Sequence, residues 1–103
     1  MVDSIEFDLI ICGSGLAGLR AAIAAAKKGP HLKIGIVSKV QVMRSHSVSA
    51  EGGTAAVLFE DEGDTIESHV YDTVKGSDFL ADQVFADRLG FRRLQEIHQL
   101  EHW

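Results

Sequence analysis

The sequence predicts an α/β fold that opens with a β-α-β unit. Three observations predict it: a short apolar run ended by glycine, an alanine-rich stretch with helical spacing directly behind it, and a second apolar run after a glycine–proline stop. Phe7 to Cys12 (FDLIIC) is the first strand, and with Ile10 and Ile11 it has the character of a parallel-sheet strand buried on both faces. Leu16 to Lys28 is the helix, rich in the strongest helix former, with Leu16, Leu19, Ile23 and Ala26 as its packing face. Gly29 and Pro30 stop it. Leu32 to Val37 (LKIGIV) is the second strand, brought parallel to the first by a right-handed crossover.

Beyond Ser38 the periodicity is lost. Residues 38–56 are expected to form an extended loop running into a short helix near Gly53, and Glu60 to Asp64 an acidic turn. Asp64, with Glu67 three residues on, has the form of a capping box. It would open a helix with Ile66, Val70 and Val74 on one face, closed by Gly76. A last helix is expected from Asp82 toward Leu100, with Gly90 inside it at a cost of about 1 kcal/mol relative to alanine.

A chain of 103 residues suits one small domain with a modest core. Its net charge of −5, without a basic cluster, argues against nucleic acid as a partner. Cys12 has no second cysteine to pair with, which fits a reducing compartment and a small core residue. Residues 1–8 lack the character of a signal peptide, and the nearly apolar run Leu16 to Ala26 contains Arg20 and is too short for a bilayer, so the chain reads as soluble in itself.

Gly13, Gly15 and Gly18 stand in the spacing G-x-G-x-x-G between the first strand and the helix. The first glycine allows a tight turn, the second lets a pyrophosphate approach the backbone, and the third lets helix and strand pack closely. The helix N-terminus then offers free N–H groups and a positive dipole end to the anion. Placed inside a βαβ unit, the motif predicts a dinucleotide site of Rossmann-like type. The second strand ends at Val37-Ser38-Lys39, without the acidic residue that binds ribose hydroxyls in many such sites. Ser38 is the candidate hydrogen-bonding substitute, and an ordinary NAD site is disfavoured.

Three stretches, GSGLAGLRAAIAAA, SKVQVMRSHSVSAEGGTAAV and HVYDTVKGSD, resemble the flavoprotein subunit of succinate dehydrogenase and fumarate reductase over about residues 5–83. The run Arg44 to Gly53 is the most specific. Val42 stands where that family commonly has proline, and residues 84–99 depart from its pattern. The resemblance implies that residues 1–103 are the N-terminal part of an FAD-binding domain, incomplete in this chain, with the rest of that domain and a substrate-capping domain outside it. It implies FAD as cofactor, its pyrophosphate cradled by Gly13, Ser14, Gly15, Leu16, Ala17 and Gly18. Ser38, Lys39, Arg44, Ser45, His46, Ser47, Ala50, Glu51, Gly52 and Gly53 would wrap the adenosine and flavin portions.

His46 would carry FAD covalently through the flavin 8α-methyl carbon. The chemistry is sound, because a neutral imidazole is a good nucleophile near pH 7. The bond also raises the flavin potential, and about 30 mV in a two-electron couple corresponds to roughly 1.4 kcal/mol. Arg44 would contact a phosphate or be an exposed loop charge; Glu51 would lie beside the flavin or cap a helix. His69 is expected to be structural, and His31, His98 and His102 show no metal-ligand spacing, so no metal site is expected. The residues that bind the dicarboxylate and donate protons are expected beyond residue 103.

The implied function is succinate–fumarate interconversion, with electrons passed to an iron–sulfur subunit and quinone. Membrane anchor subunits would hold the complex on the inner (cytoplasmic or matrix) face of the membrane. A chain with one cysteine has no framework for iron–sulfur clusters, so those belong to a partner. Two alternatives stand beside this one. A non-covalent FAD oxidase of the L-aspartate oxidase type would lack the histidine. A stand-alone dinucleotide-binding module would have no chemistry of its own.

Overall fold

The computed structural model describes residues 3–103. They form two compact units, one running through Gly52 and the other Gly53–Trp103.

The first unit is the βαβ. Strand β1 (Leu9–Cys12) and strand β2 (Ile34–Val37) pair in parallel, Leu9 against Ile34 through Cys12 against Val37, and helix α1 (Leu16–Lys28) connects them. Both strands are shorter than the apolar runs that predict them. Ahead of the ladder, Asp8 fixes the register from its side chain: its Oδ2 accepts the Lys33 N–H at 2.7 Å while its own N–H donates to the Lys33 carbonyl at 2.9 Å. Phe7 lies flat over Gly35, where a Cβ would come within 2.9 Å of the ring. This explains why a glycine interrupts an otherwise β-branched strand. Helix α1 ends at Gly29, whose N–H returns to the Ala25 carbonyl at 2.8 Å and whose missing Cβ makes room for Leu32. Lys27 and Lys28 complement the dipole in its last turn.

Burial differs from the expectation for these strands. Ile10 is 52% exposed, Val37 57%, and Cys12 is exposed rather than a core residue. The packing face of α1 is equally open, with Leu16 61% exposed. Leu19, Ala22, Ile23 and Ala26 form an apolar groove with Ile34 and Ile36 of β2. The physical reason is that one long helix against two strands leaves most of the sheet surface without a second layer.

The second unit is a helical hairpin. A 3-10 turn (Glu60–Glu62) closes on Gly63, left-handed at φ 91°. Helix α3 spans Ile66–Gly76 and helix α4 Gln83–His102. The N-cap of α3 is Thr65 and not Asp64: its hydroxyl accepts the Ser68 N–H at 3.1 Å. Asp82 caps α4, accepting the Phe85 N–H at 3.0 Å. Gly76 remains helical, and the chain turns instead on Asp78 and Phe79, both left-handed at φ 52° and 61°. There the Phe79 N–H reaches back to the Val74 carbonyl at 3.0 Å. Phe79 packs edge-on against Tyr71, ring centroids 6.5 Å apart, which offsets part of the backbone cost.

The helices meet at Gly90, where a Cβ would stand 2.5 Å from Val70 Cγ2. The glycine that the sequence marks only as a helix penalty is thus a point of close approach. Val57, Val74 and Ala86 are the buried apolar residues of this unit. His69 is structural, as expected: its Nε2 meets the Arg93 guanidinium across the two helices. Among the described residues no helix is long and apolar enough to cross a membrane.

Candidate functional site

The residues singled out by the glycine motif converge at the C-terminal end of the strand pair. Gly13 sits at φ 112°, a conformation that side-chain-bearing residues rarely adopt, and its N–H extends the ladder to the Val37 carbonyl at 2.7 Å. Gly18 explains itself by collision: a Cβ there would strike the Gly13 carbonyl oxygen. Gly15 is the N-cap of α1 and offers no side chain for capping. The first intrahelical bond runs from the Leu19 N–H to the Gly15 carbonyl at 3.0 Å. The N–H groups of Leu16, Ala17 and Gly18 therefore precede the helical ladder. No acidic residue occupies this first turn. A glycine cap, an acid-free first turn and amides ahead of the helical ladder form a donor set for an anion and suit nothing cationic.

Two hydroxyl contacts close this turn. Ser14, only 3% exposed, donates to Ser38 Oγ at 2.8 Å. Ser38 Oγ also accepts the Val40 N–H at 3.4 Å, leaving its own proton free to point outward. The spacing motif does not reveal this pair. The parallel register comes close to it, because continuing Cys12 against Val37 sets Gly13 beside Ser38 and Ser14 is the next residue.

The second contact comes from the histidine segment. After β2 the chain passes through a 3-10 turn (Val42–Arg44) into a one-turn helix, α2 (His46–Ser49). The short helix expected near Gly53 lies here instead, and Gly53 is a left-handed glycine at φ 74° outside any helix. The cause is Ser45, 7% exposed, whose hydroxyl caps α2 by accepting the Val48 N–H at 3.4 Å. His46 is the first residue of α2 and exposed to solvent. Ser47 follows, and its Oγ accepts the Leu16 N–H at 2.9 Å. It is also the nearest atom, at 3.3 Å, to the place a Gly15 Cβ would take.

The structure thus brings Gly13, Ser14, Gly15, Leu16, Ala17, Gly18, Ser38 and Ser47 to one end of the first unit, with His46 on the same short helix as Ser47 and Ser45 capping that helix. Lys39 and Arg44 are exposed on the connecting segment. Ala50, Glu51 and Gly52 are exposed beyond α2, so Glu51 caps no helix; Gly53 begins the other unit.

A family model described as "FAD binding domain" matches residues 8–103. A fumarate reductase flavoprotein subunit of Mycobacterium tuberculosis is 50% identical over 98 residues, which is 95% of this chain and 16% of that protein. A succinate dehydrogenase flavoprotein subunit of Coxiella burnetii is 43% identical over 98 residues, with the same coverage of 95% and 16%. Among solved structures, a quinol fumarate reductase of E. coli superposes with a TM-score of 0.87 at 49% identity, covering 96% of this chain and 17% of its own. The chain therefore spans about a sixth of the length of these relatives.

Proposed function

This chain belongs to the FAD binding domain family, and we propose that it is the N-terminal part of a flavoprotein subunit that interconverts succinate and fumarate through FAD attached to His46. The observation that carries the reading is the meeting of two elements. The glycine turn presents an acid-free helix N-terminus, and the helix bearing His46 is hydrogen-bonded to that same N-terminus through Ser47. The likeness to fumarate reductase and succinate dehydrogenase flavoprotein subunits supports the choice of substrate.

The chain's own residues then divide the work. The N–H groups of Ala17 and Gly18 at the start of α1 bind the pyrophosphate, with Gly15 leaving room for it, while the Leu16 N–H is held by Ser47. Ser38, whose hydroxyl proton is uncommitted, donates to the adenosine ribose. Lys39 and Arg44 supply positive charge from the connecting segment. Ser45 holds the first turn of α2, so that the His46 imidazole is offered to the flavin methyl carbon. Ala50, Glu51 and Gly52 follow α2 in the chain, and the resemblance gives them and Gly53 to the same cofactor. Bound FAD supplies two-electron redox chemistry at a carbon–carbon bond. In the complete protein, electrons pass between a small dicarboxylate and an iron–sulfur subunit, and from there to quinone through membrane anchor subunits. The flavoprotein lies peripherally on the inner face of the membrane through those partners.

Acid precipitation of the full-length protein tests this. The precipitate is expected to stay yellow, with a fluorescent band after denaturing electrophoresis. The His46→Ser protein should bind FAD but release it on denaturation. Flavin leaving the unmodified protein in acid would refute covalent attachment and favour the non-covalent oxidase reading.

A further inference from the structure

We propose that Ser47 is a positioning residue for His46: its hydroxyl pins α2 to the N-terminus of α1 and thereby sets how fast the imidazole is joined to the flavin. The proposal rests on the assignment of His46 as the attachment site.

Helix α2 is the element that carries the imidazole. It has four residues, and an isolated helix of one turn has no stability of its own in water. Its single side-chain cap, Ser45, orders the turn internally but ties it to nothing distant in sequence. The bond from the Leu16 N–H to Ser47 Oγ bridges 31 residues and joins α2 to an element anchored in the sheet. His46 precedes Ser47 directly, so fixing Ser47 fixes the backbone that carries the imidazole. Leu16 is the first residue of α1, ahead of the helical ladder, so its N–H is available for this bond without loss to the helix.

The attachment itself balances. An N–C bond forms from the imidazole nitrogen to the methyl carbon, and one methyl C–H bond and the imidazole N–H bond break. The two protons and the electron pair pass to the flavin ring, and fumarate, the proposed oxidant, removes them. No step of this requires the Ser47 hydroxyl to react; it acts on the geometry of the imidazole alone.

The test follows acid-stable flavin over time after FAD is added to flavin-free full-length protein, with total bound FAD measured in parallel. A hydrogen bond of this kind contributes about 1 kcal/mol, so Ser47→Ala should slow attachment about fivefold, with acid-stable flavin taken as a fraction of the FAD bound. Ser47→Thr, which keeps the hydroxyl, should attach at the original rate. Leu16→Pro removes the other partner of the same bond at the one helical position where proline is well tolerated, and Leu16 is 61% exposed. It should slow attachment equally, and the double variant should be no slower than either single one.

Attachment by Ser47→Ala at the original rate would overturn the proposal. A slowing that disappears when the rate is taken per bound FAD would overturn it too, by assigning Ser47 to cofactor binding alone. Should Ser47→Ala fail to fold, Leu16→Pro decides between these outcomes, its attachment likewise read per bound FAD. If the unmodified protein forms no acid-stable flavin, the His46 assignment fails first, which is distinguishable from a failure of Ser47 alone.

Discussion

Gly90→Ala should destabilise the protein even though it replaces a glycine inside a helix by the best helix former. The substitution recovers about 1 kcal/mol of helix propensity. Against this, the new Cβ would lie 2.5 Å from Val70 Cγ2 and 3.3 Å from Ile66 Cγ2. Carbon atoms in contact settle near about 3.5–4.0 Å, so α3 and α4 must part by about 1 Å along this line. Overpacking of this kind costs about 1–3 kcal/mol, so the net loss should be about 1 kcal/mol. In urea, with a slope of about 1–3 kcal/mol/M, the midpoint should fall by about 0.3–1 M. The sign should then reverse in a Val70→Ala background, where the colliding methyl is gone and the propensity gain is left. The cycle of the two substitutions should show a coupling of about 1–3 kcal/mol. A raised midpoint for Gly90→Ala alone, or the same effect with and without Val70, would refute the close-approach reading.

Two further predictions concern backbone positions. Gly15→Val should abolish FAD incorporation, since its methyls extend from a Cβ already 3.3 Å from Ser47 Oγ into the space the pyrophosphate needs; normal flavin content would contradict the assignment of this turn. Asp78→Gly should raise stability by about 1 kcal/mol, because Asp78 is held at φ 52° and glycine adopts that region freely; thermal melts showing a loss instead would mean that the Asp78 side chain holds the turn.

The glycine turn was legible because each of its three glycines answers a separate steric demand that spacing alone encodes. The histidine segment was legible by resemblance, but its helix was not, because one turn is too short to leave a period. Only Ser45 marks it, and a serine among several serines does not stand out. At α3 two adjacent residues were both good caps. The Asp64–Glu67 pair suggested a capping box, but the backbone enters the helix one residue later, and Thr65 takes the Ser68 N–H. Gly90 was visible as a cost and not as a purpose, since its reason lies on the facing helix. The burial of β1 departs from what its sequence suggests for a related reason. An apolar run records that a strand can be covered on both faces, whereas what covers it depends on layers that these two strands and one helix do not supply.

The Ser14–Ser38 pair has a consequence for how the sheet chooses its register. A slip of β2 by one residue would turn every side chain to the wrong face, and packing resists it. A slip by two preserves the faces, and on strands as short and exposed as these, packing alone discriminates weakly. That slip would carry Ser38 about 6.6 Å along the strand, away from Ser14. It would strand a hydroxyl that is 3% exposed without a partner, at about 1–3 kcal/mol. Asp8 and Lys33 impose the same check at the opposite end of the ladder. The pairing is thus proofread at both ends by polar side chains, and only the correct register places the glycine turn beside the end of β2.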